Sequence, residues 1–422
     1  MAVIDLSVII CGTPAGVLYQ DAAGLMSFRY DEAYDGIPLS LSMPVSNRIY
    51  RQDVVKPYLF GLLPDDERQR RAIALEYGIS ANNPVALLDR IGLDCPGGVQ
   101  FCRKEMLEGA LARQGAYRPL SEREIEAKLA AIRKDANATW MGAEESWSLG
   151  GNQGKFALAW HDKTWCECLG SCPTTHIFKN GVAGYRLEAL NEYVCMKCAQ
   201  ACDIATAQVD YRLFGDEPAL IVTRYDRMAD SEGNVHRLHQ EDLCQALSIM
   251  PTMKYTSDGG PTARDVLDLL SGTSYASQNL SLFTRMLFFN CLIGAPDAHA
   301  KNYSLLLSRA GDALIAPLYD VASGLPYEQT RRRARLAMAI GGENRVGRVG
   351  AGAIRRYAQG FETAGLTEEA CRDTMRGLAE RIPDTLAGVL NGSNELPGIG
   401  ELRAHLLDPV AENCAATLAL LQ

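Results

Sequence analysis

Asp297, Asn302 and Asp320 are three oxygen-bearing side chains in the stretch GAPDAHAKNYSLLLSRAGDALIAPLYD, which runs from Gly294 to Asp320. Their types suit phosphoryl transfer from ATP. That chemistry asks for a carboxylate to orient an acceptor hydroxyl and for oxygen ligands to Mg²⁺. Asp297 and Asn302 stand five positions apart, as the Asp and Asn do in the kinase loop pattern H-R-D-x-x-x-x-N. One loop with that spacing can aim a carboxylate at a hydroxyl and an amide oxygen at a metal. Asp320, after the apolar run ALIAPLY, completes the set as a second metal ligand at an expected strand end.

Two further parts of such a centre lie upstream. Ser148-Leu-Gly-Gly-Asn-Gln-Gly-Lys155 is a Gly-rich turn, in which backbone N–H groups can approach phosphate oxygens because no Cβ intervenes. Lys179 ends the short run TTHIFK, a strand-borne lysine placed to meet phosphates, and Glu192 in the following helical pattern is its candidate ion-pair partner. Two cysteine groups carry blander readings. Cys195, Cys198 and Cys202 share one face of a helix and suit core packing. Cys166, Cys168 and Cys172 crowd a hairpin-like segment, where a reduced loop is the default and zinc the sharper alternative.

These parts need a scaffold. The runs SVIICG, GVLYQ and LMSFRY with turns between them suggest a small antiparallel sheet. GLLPDDERQRRAIALEYGIS reads as an N-capped amphipathic helix with Pro64 and Asp65 at its start, and residues 103–140 read as a charged helical connector. From about residue 146 the texture turns to alternating strands, including PALIVTRYDR, with the helical LEALNEYVCMKCAQACDI among them. Beyond about 240, helical patterns dominate. The expected order is a β-rich module over 1–110, a mixed lobe over 111–235 and a mostly α-helical lobe over 236–422.

The totals agree with a globular protein: 422 residues, 47% hydrophobic and 22% charged. A formal net charge of -9 excludes a general nucleic-acid binder, although eight arginines between Arg331 and Arg356 form a local basic stretch that could lie against DNA in a complex. The apolar N-terminal stretch lacks a preceding basic segment and contains Asp5, unlike a signal peptide. No apolar run approaches the ~20 residues of a membrane span. Thirteen cysteines, an odd number in a long chain, fit reduced thiols in a cytoplasmic setting, with no membrane partner expected.

The motifs in their order resemble the HipA-type serine/threonine kinase toxins of bacterial toxin–antitoxin modules. GLLPDDERQRRAIALEYGIS and LLDRIGLDCPGGVQF carry the likeness in the N-terminal module. SLGGNQGKFAL, TTHIFK, NEYVCMKCA, VTRYDR, LHQEDLCQALS, DAHAKNYSLL, PLYDVAS and LAMAIGGEN carry it in the rest. The resemblance implies an α+β, two-lobed protein-kinase-like fold, related to the PI3/4 kinases, using ATP and Mg²⁺. It implies that Asp297 is the catalytic Asp, that Asn302 and Asp320 are metal ligands, and that Lys179 pairs with ATP phosphates. Gly150, Gly151, Asn152, Gln153, Gly154 and Lys155 match the phosphate-covering loop, Thr223, Arg224 and Tyr225 the adenine-holding hinge, and His299 the nucleotide-contacting loop. Ser148 matches the serine whose autophosphorylation ejects that loop and inactivates the kinase, with Ser146 as an alternative phosphosite. Gly150 stands where Ala is frequent in the family and Gly154 where Pro or Glu is usual, so the loop's in–out equilibrium is expected to differ. The implied partners are a HipB-like helix-turn-helix antitoxin, operator DNA through that antitoxin, and a protein substrate. For the best-known members that substrate is an aminoacyl-tRNA synthetase, glutamyl and in some cases tryptophanyl. The competing readings are a small-molecule phosphotransferase and a non-catalytic co-repressor scaffold.

Overall fold

The structure is a computed structural model that describes residues 3–135, 145–151 and 153–422. The chain forms two compact units, the first made of Met1–Asn180, Leu213–Thr252 and Leu305–Asp312, the second of Gly181–Arg212, Met253–Ser304 and Ala313–Gln422.

In the first unit, the N-terminal alternation folds into a five-stranded antiparallel sheet. Its order is Ile49–Arg51, Met26–Tyr30, Thr13–Gln20, Ile4–Ile10, Val99–Cys102. Ile10 pairs with Thr13 across a two-residue turn in which Cys11 (φ 48) and Gly12 (φ 80) are both left-handed. A type I′ turn requires that at both positions, and its twist matches the flanking strands. Leu6, Val8, Leu18 and Phe28 from this sheet share a core with Val85, Leu87, Leu88 and Ile91 of the helix Pro84–Ile91.

A second sheet in the same unit orders Glu217–Thr223, His176–Lys179, Lys155–His161, Thr164–Gly170 and Gly115–Pro119. Phe156, Phe178 and Ile221 pack there against Ile125 and Leu129 of the helix Glu122–Lys134. That helix opens with a capping box, in which Ser121 and Glu124 exchange side-chain-to-backbone hydrogen bonds. Of the expected helical connector 103–140, residues 136–140 lie outside the described residues, and the part before them is more than helix: Gly115–Pro119 is an edge strand, paired with Cys166–Gly170.

The expected start of the amphipathic helix also shifts. Glu67–Tyr77 is capped by Asp66, whose carboxylate accepts from the Arg68 N–H. Pro64 and Asp65 are engaged elsewhere, in a parallel bridge to Gly151 in which the Asp65 N–H donates to the Gly151 carbonyl at 3.1 Å.

The second unit is mostly helical, with Glu188–Ala201, Ala263–Ser271, Ala276–Ile293, Glu368–Gly392 and Ile399–Leu420 as its main helices. Ala276–Ile293 is apolar and buried over nearly its whole C-terminal half, as suits the central helix of a bundle. Cys195, Cys198 and Cys202 are fully buried. All thirteen cysteines are thiols, and Cys11 is the one that is partly exposed. Among the described residues no helix is long and apolar enough to cross a membrane.

Candidate active site

The loop that carries Asp297 begins where the buried helix Ala276–Ile293 ends. Gly294 (φ 72) terminates that helix, and the Ala295 N–H donates to the Asn290 carbonyl at 2.8 Å, a left-handed stop of the Schellman kind. A side chain at Gly294 has no room, since its Cβ would come within 2.5 Å of Leu325. Asn413 caps the same helix end, donating from Nδ2 to the carbonyls of Cys291 and Leu292 at 3.0 and 2.7 Å. The loop thus hangs from a rigid support, as precise placement of a reacting group demands.

Within the loop, the Asp297 carbonyl accepts from the His299 N–H at 2.8 Å and from Asn302 Nδ2 at 2.8 Å. A carbonyl can only accept, so the Asn302 NH₂ is turned inward and its Oδ1 is the end presented elsewhere. The Asp297 side chain is 61% exposed, whereas His299 is buried with Nε2 3.8 Å from Asp297 Oδ1. The Tyr255 hydroxyl donates to Asp297 Oδ1 at 2.5 Å.

Asp320 does not end a strand. The strand in its apolar run is only Ala313–Ile315, and Asp320 itself is left-handed at φ 60. What holds it is Tyr319, whose hydroxyl donates to the Lys301 carbonyl at 2.8 Å and lies 2.7 Å from Ser304 Oγ. Upstream, Leu318 exchanges backbone bonds with Ala205 and Ala207. The structure thereby ties the segment bearing Asp320 to the segment bearing Asn302. An amide oxygen and a carboxylate are hard donors, the chemistry Mg²⁺ prefers, and a magnesium site in a kinase takes few protein ligands because phosphates and water complete it. Asn302 and Asp320 therefore fit that ion.

The remaining candidates lie in the first unit. Lys179 is buried at the end of its strand, and Lys155 is its register partner on the neighbouring strand. Residues paired in register lie on one face of the sheet, so the two lysines share a face. Gly151 (φ 95) supplies a backbone conformation that L residues rarely adopt, and a Cβ there would meet the Lys155 ammonium at 2.7 Å. Gly150, Gln153 and Gly154 flank it. Asn152 lies outside the described residues.

Ser148 is buried, and its hydroxyl donates to the Leu62 carbonyl. The backbone around it pairs with Asp94: the Asp94 N–H donates to the Ser146 carbonyl and the Ser148 N–H to the Asp94 carbonyl, both at 3.0 Å. Ser146 Oγ donates to the Arg90 carbonyl at 2.9 Å.

Of the hinge residues, Thr223 pairs with His176 and the Tyr225 hydroxyl donates to Gln240 Oε1 at 2.8 Å. The Arg224 guanidinium is wholly spent on internal partners. It donates to both oxygens of Asp226 (3.0 and 2.8 Å), to Thr174 Oγ1 (2.8 Å), to the Cys95 carbonyl (2.9 Å) and to Asp94 Oδ2 (3.3 Å). Its backbone is engaged as well, the N–H donating to the Thr175 carbonyl at 2.9 Å and the carbonyl accepting from the Arg227 N–H at 3.3 Å. Arg227 and Arg237 each donate to Asp94 Oδ1 at 2.9 Å. Burial opposes ionisation of Asp94, but Arg227, Arg237 and Arg224 outweigh it and hold the carboxyl well below the usual carboxylate range.

Sequence reasoning missed this charge cluster and missed Tyr255. Asp94 stands about 130 residues from Arg224, and no local pattern couples such positions. Cys168 and Cys172 pack with Ala159 and Tyr117.

Two family models match this chain in tandem, the HipA N-terminal domain over residues 6–102 and the HipA-like C-terminal domain over residues 147–386. Y4mE of Sinorhizobium fredii, named as a candidate kinase, is 33% identical over 410 residues and 95% of each chain. The serine/threonine-protein kinase toxin HipA of Shewanella oneidensis is 30% identical over 379 residues, 86% of this chain and 83% of that one. A solved structure of HipA from Shewanella oneidensis MR-1, in complex with HipB and its operator DNA, has a TM-score of 0.81 at 27% identity and covers 98% of both chains. With one domain model spanning more than half its length and likeness to a solved HipA along nearly all of it, the chain belongs to the HipA family of kinase toxins.

Proposed function

We propose that the protein is an ATP- and Mg²⁺-dependent serine/threonine kinase that arrests growth as the toxin of a toxin–antitoxin module. The observation that carries this reading is the catalytic loop. The Asn302 amide is pinned to the Asp297 carbonyl at 2.8 Å while the Asp297 carboxylate, bonded to Tyr255 at Oδ1, stands 61% exposed, within reach of another protein. In the reaction, a seryl or threonyl oxygen attacks the γ-phosphorus of ATP, the bond to the ADP oxygen breaks, and Asp297 accepts the hydroxyl proton. Lys179, Lys155 and the amides of 150–154 hold phosphate oxygens, Thr223–Tyr225 holds adenine, and His299 lines the nucleotide. Mg²⁺, held by Asn302 and Asp320, would neutralise phosphate charge. The architecture proposed is the two-lobed PI3/4-kinase-related one, with domains at 1–110, 111–235 and 236–422.

Ser148 is the proposed autophosphorylation site. Its oxygen lies against the Leu62 carbonyl, where a phosphate bearing about -1.5 to -2 charges has no place, so modification and this seat of the loop exclude one another. The solved HipA assembly with HipB and operator DNA supports a HipB-like antitoxin as partner here, with operator DNA reached through it. The proposed substrate is an aminoacyl-tRNA synthetase, glutamyl first, and the proposed location the cytoplasm.

The test is induction of wild type beside Asp297→Asn, with phosphoproteomics on both cultures. Arrest by wild type only, with a new phosphoserine or phosphothreonine on a synthetase, is the expected result. Equal arrest by both, or no altered phosphosite in either, would put a non-catalytic DNA-bound scaffold in its place.

A further inference from the structure

Tyr255 has no role in the reaction described so far, yet its hydroxyl is 2.5 Å from Asp297 Oδ1. Its position is built rather than accidental. The Tyr255 carbonyl accepts from the N–H groups of Asp258 and Gly260, both at 3.0 Å, and Thr256 Oγ1 donates to the Pro261 carbonyl at 2.6 Å. Gly260 lets the turn close, since a Cβ there would overlap the Met253 carbonyl at 1.6 Å. The ring meets His299 edge-on, 4.9 Å between centroids at 79°, and the Lys254 ammonium lies 5.5 Å from the ring centroid.

A general base must stand within hydrogen-bond reach of the proton it takes, about 2.6–3.2 Å between heavy atoms. The phenol oxygen takes such a position on Asp297 Oδ1, while the side chain as a whole stays 61% exposed. A kinase whose base is open to solvent also risks passing the phosphoryl group to water, which competes with the protein acceptor. We propose that Tyr255 decides between transfer and hydrolysis, its phenol holding the acceptor-hydroxyl position on Asp297 until a seryl or threonyl hydroxyl displaces it. This rests on Asp297 being the base. In the side reaction that Tyr255 suppresses, a water oxygen bonds to the γ-phosphorus, the γ-phosphorus–oxygen bond to ADP breaks, and the water proton passes to Asp297. The products are ADP and inorganic phosphate, with no change in oxidation state.

The test measures inorganic phosphate released from Mg·ATP by the full chain without protein acceptor, in wild type, Tyr255→Phe, Asp297→Asn and the double variant. Tyr255→Phe is expected to raise release about tenfold, the scale of one hydrogen bond to a charged group no longer competing with water, and Asp297→Asn to abolish it in both backgrounds. Unchanged or lower release from Tyr255→Phe, with Asp297→Asn still abolishing it, would overturn the role of Tyr255 and leave Asp297 as the base. Release that survives Asp297→Asn would overturn both. A second readout needs no nucleotide: nitration of Tyr255 by tetranitromethane, followed by peptide mass mapping. The phenol is held in a hydrogen bond to Asp297, so Asp297→Ala should free it and nitrate faster than wild type. Equal nitration would mean that the contact does not exist in solution and would sink the proposal.

Discussion

At the scale of single residues, the Asp94 cluster sets a large expected cost for one substitution. Asp94, Arg224, Arg227 and Arg237 are all buried, and burying charges is tolerable only while each has its partner. Asp94→Ala would leave Arg237 buried without its carboxylate while Arg224 and Arg227 keep Asp226, and we expect it to lose about 3–5 kcal/mol of stability, read by denaturant unfolding. Asp297→Asn should differ in kind: phosphotransfer falls by about 10²–10⁴ while the unfolding midpoint stays put, because that exposed carboxylate supports little structure. The contrast bears on what could be read beforehand. Asp297 and Asn302 stand five positions apart in one loop, and the bond between the Asn302 amide and the Asp297 carbonyl is a contact that spacing alone makes legible. Asp94, Tyr255 and the three arginines act across long intervals of sequence, and only folding brings them together.

Among the elements, the segment 145–151 is the one whose seating the proposed phosphorylation of Ser148 would break. It is stitched to the N-terminal module by Asp94 on both sides of Trp147, by the Ser148 hydroxyl on Leu62, and by Gly151 on Asp65. Ser148→Glu, which puts a carboxylate against a carbonyl oxygen, should unseat the segment and open it to limited proteolysis, while Ser148→Ala should leave it protected. The strands and helices themselves were largely legible. SVIICG, GVLYQ, LMSFRY and TTHIFK alternate as half-buried strands do, and the helical patterns beyond residue 240 show their period. The misplacements have local causes. Asp66 rather than Asp65 caps its helix because Asp65 is drawn to Gly151. Asp320 follows a run that reads as strand but bends away once Leu318 pairs with the chain near Ala205.

For the molecule as a whole, stability should depend on pH through Glu241. Its carboxyl is fully buried and accepts from Ser40 Oγ at 2.5 Å and from the Leu41 N–H at 2.8 Å. Burial pushes its pKa from 4.5 up to about 8, against those hydrogen bonds. The folded protein therefore holds a proton that the unfolded chain has released, and stability from this group falls as pH rises from about 4.5 to about 8. His239 works in the opposite sense: burial lowers its pKa from 6.5 to about 4, so its contribution is lost as pH falls through that window. Between pH 6.5 and 8, Glu241→Gln should flatten the decline of the thermal midpoint relative to wild type, and identical pH profiles for the two would refute the assignment.

The thirteen thiols offer something of another kind. Cys11, Cys95, Cys102, Cys166, Cys168, Cys172 and Cys244 belong to the first unit, and Cys195, Cys198, Cys202, Cys291, Cys371 and Cys414 to the second. Because all but Cys11 are interior, a thiol-selective alkylating reagent can modify them only when the surrounding structure opens. The protein thus carries its own stopwatches, distributed through both units. Pulse alkylation with mass mapping, with and without nucleotide, would time the loosening of each unit separately, with no label to introduce.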